Sequence, residues 1–232
     1  MSHFPVVMLA GGLGTRVSSI AGDKPKALLP LAGIPFLQWK LNELITQGVT
    51  KIYLLLGYGA EQIEEFLSKA VFQINIVIIR DDPNCKGTGR AVLDSLKHIE
   101  EDQFILTYGD NLLPLAIAEF TSPLSERHCR MVTTTSLGPA DTANAEVKSG
   151  FVVRYGKEQS KDYTQLDYGY SVISKACLAA HLGQDVTDLA PAFSSMAKAG
   201  LLEAHSTNLS YTEIGTPITY FSADEQLRNY RQ

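Results

Sequence analysis

Apolar positions along the chain fall into short continuous runs separated by helical stripes. Residues 6–10, 51–56, 74–79 and 104–107 are runs of apolar and β-branched residues, of the length and kind that form strands buried on both faces. Between them, Leu37, Leu41, Leu44 and Ile45 share one face of a helix that Pro35 opens and Gly48 stops. Ile63, Phe66 and Leu67 make a stripe within residues 60–69, and Ala91, Val92, Ser95, Leu96 and Ile99 another within 88–99. Strand and helix in alternation predict an α/β fold with a doubly wound, mainly parallel sheet. Its ligand crevice lies beyond the C-terminal ends of the strands.

Past residue 130 the rhythm changes. Residues 131–136, 150–155 and 168–173 read as strands with short connections, 187–199 as a helix and 157–165 as a polar loop. A mixed sheet edge or a small antiparallel subdomain fits this half. With no internal repeat or linker-like segment, the 232 residues read as a single domain.

Composition narrows the function classes. The chain is 45% apolar and 19% charged, with 18 glycines and 10 prolines, as in a folded globular protein. A net charge of -5 excludes a broad nucleic-acid surface, so any phosphate chemistry is local. Residues 1–5 carry no secretory signal and no stretch is apolar for the roughly 20 residues a membrane helix needs. The expected compartment is therefore the cytoplasm, with no membrane partner. Cys85, Cys129 and Cys177 are widely spaced and predict buried free thiols rather than a disulfide frame or zinc site. The five histidines lack ligand spacing and receive no role.

The densest chemical signal is Gly11-Gly12-Leu13-Gly14-Thr15-Arg16, followed by Lys24-Pro25-Lys26. Glycines let backbone N–H groups approach a polyphosphate, Arg16 supplies a planar multidentate donor, and Lys26 a point charge on a segment restrained by proline. A dinucleotide fingerprint would need glycine where Val17 stands, and the Gly-Lys-Ser/Thr end of a P-loop is absent. Gly87-Thr88-Gly89 opens the third predicted helix, where backbone groups can approach a ligand or simply make a turn. Tyr108-Gly109-Asp110 ends the fourth predicted strand at the crevice edge, where an aspartate serves equally as a turn residue or a metal ligand.

The glycine loop with its Pro-Lys resembles the signature of the sugar-1-phosphate nucleotidyltransferase family, which includes glucose-1-phosphate thymidylyltransferases and heptose-1-phosphate guanylyltransferases. The likeness runs along the whole chain and is densest through residue 110. It implies a Rossmann-like nucleotidyltransferase fold with an antiparallel acceptor-side subdomain, residues 1–130 forming a nucleotide-binding half and 131–232 an acceptor-binding half. Leu9, Ala10, Gly11, Gly12, Gly14, Thr15, Arg16, Gly87, Thr88 and Gly89 are then nucleotide-binding, and Arg16 and Lys26 catalytic. Arg90 stands where relatives carry a small residue.

The same resemblance makes Asp110 a ligand of Mg²⁺. Its partner is Glu213, in a segment similar to the family's Asp-Ile-Gly-Thr-Pro but with Glu for Asp. Tyr108, Glu146, Lys157 and Gly169 are the expected substrate-binding residues, although the glutamate of the family's Glu-Lys pair is missing before Lys157. The implied reaction joins a nucleoside monophosphate from an NTP, GTP or CTP being favoured, to a sugar 1-phosphate and releases pyrophosphate. Products of this kind feed surface-polysaccharide synthesis. Alternatives are a cytidylyltransferase using a phosphorylated non-sugar acceptor, and a non-catalytic nucleotide-binding regulator. A homo-oligomer is compatible with either. No C-terminal acyltransferase or regulatory extension is expected after Thr216-Pro217.

Overall fold

Val6–Leu9 forms a central strand, β1, because both of its faces meet apolar layers: Val6 and Met8 pack into one core cluster and Val7 into another. The computed structural model describes residues 4–12, 14–82, 87–138, 141–158 and 160–230, so Leu13 and Cys85 lie outside the described residues. After β1 the strands are β2 (Pro30–Leu31), β3 (Ile34–Pro35), β4 (Lys51–Leu56), β5 (Asn75–Arg80), β6 (Gln103–Tyr108), β7 (Asn111–Leu112), β8 (Cys129–Thr134), β9 (Ala145–Lys148), β10 (Phe151–Tyr155), β11 (Leu166–Ser174), β12 (Leu202–Thr207) and β13 (Thr212–Glu213). The helices are α1 (Ser18–Ala21), α2 (Phe36–Thr46), α3 (Ala60–Ser68), α4 (Thr88–Ser95), α5 (Ile117–Phe120), α6 (Lys175–His181), α7 (Ala190–Lys198) and α8 (Pro217–Tyr230).

Among the described residues one sheet of nine strands runs in the order β5-β4-β1-β6-β11-β8-β12-β10-β9. The first four are parallel, with Val6 opposite both Ile52 and Ile105. β11 is antiparallel to β6 and to β8, while β12 is parallel to β8 and antiparallel to β10. The antiparallel part of the second half therefore belongs to this same sheet, as β11 and the β12–β10–β9 edge, and two-stranded ribbons β2–β3 and β7–β13 accompany it. α4, α6 and α7 pack on one face of the sheet and α2, α3 and α5 on the other. A third cluster, including Val17, Leu29, Phe36, Ile214 and Tyr220, ties α8 to the segment that follows the glycine loop.

The strands and helices expected from the pattern form with shifted ends. α7 starts at Ala190 rather than 187, because the Asp188 carboxylate accepts the Ala190 amide at 2.9 Å and Pro191 stands in the first turn. α4 stops at Ser95, whose buried hydroxyl donates back to the Val92 carbonyl at 2.7 Å. In α2 the expected stripe of Leu37, Leu41 and Leu44 is buried, and so is Lys40 on the same face, with no exposed surface. Cys129 and Cys177 are buried free thiols.

Candidate active site

The strand order reverses between β1 and β6, and the loops leaving their C-terminal ends meet there: the Gly109 amide donates to the Leu9 carbonyl at 2.8 Å. Ligands of open α/β sheets bind at such switch points. A cavity of about 370 Å³ opens at this place. Leu9, Ala10, Gly11, Gly12, Gly14, Thr15, Arg16, Lys26, Gly87, Thr88, Tyr108 and Asp110, all singled out from the sequence, line it together with Ala27, Asp81, Ala91, Gly109 and Gly215.

Each wall has a local cause. Pro25, extended at ψ 139°, delivers Lys26 into a short 3-10 turn. From there the Lys26 ammonium reaches the Asp110 carboxylate at 2.5 Å. Arg16 lies exposed in the 3-10 turn Thr15–Val17. Gly87 stands at φ 83°, ψ 172°, where a side chain would strike the Thr187 carbonyl, so α4 can start against the 186–188 segment only with glycine there. Gly89 is buried behind it and donates to the same carbonyl at 3.2 Å.

Glu213 does not line the cavity but arrives beside it. The β7–β13 ribbon sets Glu213 opposite Asn111, and the Ile214 amide donates to the Asp110 carbonyl at 3.0 Å. The longer glutamate side chain folds back so that its carboxylate accepts the Gly215 amide at 3.1 Å. Among the described residues no group of three or more His, Cys, Asp or Glu stands together. Asp110 and Glu213, the two expected ligands, are thus brought together through their backbones, and both carry hard carboxylate oxygens of the kind that suit a cation completing its shell with phosphate oxygens and water.

The acceptor-side expectations are scattered more widely. Gly169 lies at φ 77° directly under the Asn111 amide and the Tyr108 ring. Tyr108 lines the cavity as a neutral phenol, since burial and then the charges of Asp167, Asp188 and Asp110 push its pKa far up. Lys157 is exposed and ion-paired with Asp188. Glu146 is on the outermost strand, β9, ion-paired with Lys148 at 2.5 Å, and neither it nor Lys157 reaches the cavity.

Asp81 escaped the sequence reading. It follows β5 directly, a position equivalent to that of Asp110 after β6, and burial followed by the charge of Asp94 raises its pKa to about 6. A larger hollow of about 710 Å³ lies beyond Asp81 and Ala91; Arg90 lines it, but none of the expected catalytic, binding or metal residues does.

The model of the MobA-like NTP transferase domain matches residues 6–185, taking in the glycine loop, Lys26 and Asp110. The chain belongs to this family. Among curated relatives of this NTP transferase, the bifunctional protein GlmU of Saccharophagus degradans is 30% identical over 166 residues, covering 69% of this chain and 35% of that protein. The D-glycero-alpha-D-manno-heptose 1-phosphate guanylyltransferase of Campylobacter jejuni is 32% identical over 114 residues, covering 49% of this chain and 50% of that protein. The matches thus span half or less of these relatives' lengths. The crystal structure of HddC from Yersinia pseudotuberculosis superposes with TM-score 0.81 at 26% identity, covering 97% of this chain and 99% of that one. The inositol-1-phosphate CTP transferase from T. maritima shares the fold, with TM-score 0.83 at 18% identity over 98% and 97% of the two chains. No helix among the described residues is long and apolar enough to cross a membrane.

Proposed function

We propose that this NTP transferase moves a nucleoside monophosphate from a nucleoside triphosphate to a sugar 1-phosphate, forming a nucleoside diphosphate sugar and pyrophosphate. The observation that carries the reading is the Lys26–Asp110 pair in a glycine-walled cavity at the sheet's switch point. Backbone amides of the Gly11–Gly14 loop and the α4 start hold the triphosphate, and Arg16 closes on it from the cavity mouth. Residues 1–130 act as the nucleotide half and 131–232 as the acceptor half.

An acceptor phosphate oxygen attacks the α-phosphorus in line, the bond to the bridging oxygen breaks, and pyrophosphate leaves with the electron pair. The acceptor is already anionic near neutral pH, so no side-chain nucleophile is needed. Lys26 and Arg16 offset the charge that builds on the phosphates, and positioning supplies most of the remaining acceleration. Asp110 and Glu213 would hold Mg²⁺, which supplies Lewis-acid charge neutralisation when bound. Tyr108 and Gly169 serve the acceptor at the cavity, and Glu146 and Lys157, both ion-paired outside it, would have to leave Lys148 and Asp188 to join them.

GTP or CTP is the expected donor. HddC, at 25% identity, has been crystallised with GMP-PN, which supports a guanine donor for this chain. The test is pyrophosphate release from four nucleoside triphosphates against a panel of sugar 1-phosphates and phosphorylated non-sugar acceptors, with Mg²⁺. Release that needs both a triphosphate and a sugar 1-phosphate is expected. Release with non-sugar acceptors alone would replace the sugar reading, and no release with any pair would end the catalytic one.

A further inference from the structure

The fold buries a lysine beneath the site. Lys40 has no exposed surface, and its ammonium donates to the Asn111 carbonyl at 2.7 Å, to the Asn111 side-chain oxygen at 3.1 Å and to the Tyr170 hydroxyl. All three of its protons are used. The Tyr170 hydroxyl donates in turn to Glu43 at 2.9 Å, and the other Glu43 oxygen accepts the Leu113 amide at 2.5 Å. The Asn111 amide nitrogen donates in turn to the Tyr168 carbonyl at 2.9 Å.

Most links of this network end on the segment that carries Asp110, and the Tyr170 hydroxyl joins Lys40 to Glu43 behind it. Asn111 is gripped through its carbonyl and both ends of its side chain, Leu113 through its amide, and Thr107 lies 3.5 Å from the same ammonium. Asn111 is also the residue opposite Glu213 in the β7–β13 ribbon. Desolvating a lysine is costly, and an apolar residue at this position of α2 would pack without that cost. A fully partnered ammonium fixes the path of the Asp110–Leu113 backbone with directional bonds, as an apolar side chain cannot.

We propose that Lys40 is a positioning residue for the metal carboxylates: through Asn111 and, by way of Tyr170 and Glu43, through Leu113, it holds the β7–β13 ribbon so that Asp110 and Glu213 converge on one cation. This rests on the two-carboxylate reading of the proposed function. Groups that orient metal ligands without touching the metal typically govern affinity about 10–100-fold.

The test is Mn²⁺ binding, followed by electron paramagnetic resonance in the presence of a non-hydrolysable GTP or CTP analogue, for wild type, Lys40→Met, Tyr170→Phe and Asp110→Asn. Lys40→Met should weaken Mn²⁺ roughly 10–100-fold and Tyr170→Phe less, with analogue affinity in EDTA unchanged. Amide exchange at Leu113 in the metal-free protein should quicken in both. A folded Lys40→Met variant whose Mn²⁺ affinity stays within about twofold of wild type overturns the proposal, and if that variant does not fold, Tyr170→Phe decides by the same criterion. Asp110→Asn separates the two levels. Should it bind Mn²⁺ like wild type, the metal reading falls and this proposal with it; should it lose Mn²⁺ while the Lys40 and Tyr170 variants do not, the positioning role alone falls.

Discussion

The ammonium of Lys26 and the carboxylate of Asp110, 84 residues apart in sequence, are each other's counter-ion at 2.5 Å. Lys26 is mostly covered, its side chain 15% exposed, while Asp110 at 32% keeps a face to the cavity. The pair therefore presents both charges to a bound triphosphate at one point.

Removing the cation should strike turnover rather than folding. For Lys26→Ala, kcat falls by about 10²–10³-fold, the range for losing one transition-state donor, with a smaller change in the KM for the triphosphate. Steady-state pyrophosphate release with circular dichroism as a folding check reads this out. Wild-type kcat in the variant would remove Lys26 from the chemistry.

Glu213 can be tested by shortening it. In Glu213→Asp the shorter side chain keeps its charge, and an aspartate can still accept the amide two residues on, as Asp188 does from Ala190 at 2.9 Å. Activity should stay within about tenfold of wild type, whereas Glu213→Gln should lose about 10²-fold or more and need far more Mg²⁺. Magnesium titrations of the three proteins compare them, and an unchanged magnesium requirement in Glu213→Gln would hand the second ligand to another group.

Asp81 makes stability depend on pH. Its carboxyl ionises at about 6 in the fold because burial and then Asp94 oppose the charge. The folded state thus binds its proton more tightly than the unfolded chain, at about 3.9, and stability is lost as pH rises through that window. Asp81→Asn should raise Tm by about 2–4 °C at pH 7.5, the equivalent of about 1 kcal/mol after solvent screening, and change little at pH 4. Thermal melts at the two pH values check it, and an equal shift at both would point to packing instead.

Gly87 tests the seat of α4. Alanine there must adopt φ near 83° and push its methyl group toward the Thr187 carbonyl. A loss on the order of 1–3 kcal/mol is expected, together with weaker triphosphate binding. Urea unfolding and nucleotide titration measure the two effects, and a Gly87→Ala protein matching wild type in both would remove the steric argument.

Much of the cavity was legible because its parts are local. The glycine loop, Lys26, Gly87-Thr88 and Asp110 all sit just past strand ends, and strand ends show in the apolar runs of the first half. Asp81 has the same positional signature but lacks a neighbouring motif. Lys40 gave no signal, since a lysine within an amphipathic stripe reads as a solvent-facing residue, and the hydroxyl that helps bury it lies 130 residues away. The place of β12 was equally hidden. Its parallel pairing with β8 joins Cys129 to Leu202, and neither segment announces the other.

That placement of β12 has a consequence for the order in which the molecule is assembled. β9 and β10 are complete once residue 155 has left the ribosome, yet their link to the rest of the sheet is Leu202–Thr207, made later and inserted between β8 and β10. Until then the nascent chain carries two open sheet edges, each a template for pairing with another chain. The sheet therefore closes only after Leu202–Thr207 has been made, although the strands on either side of that gap come much earlier in the chain.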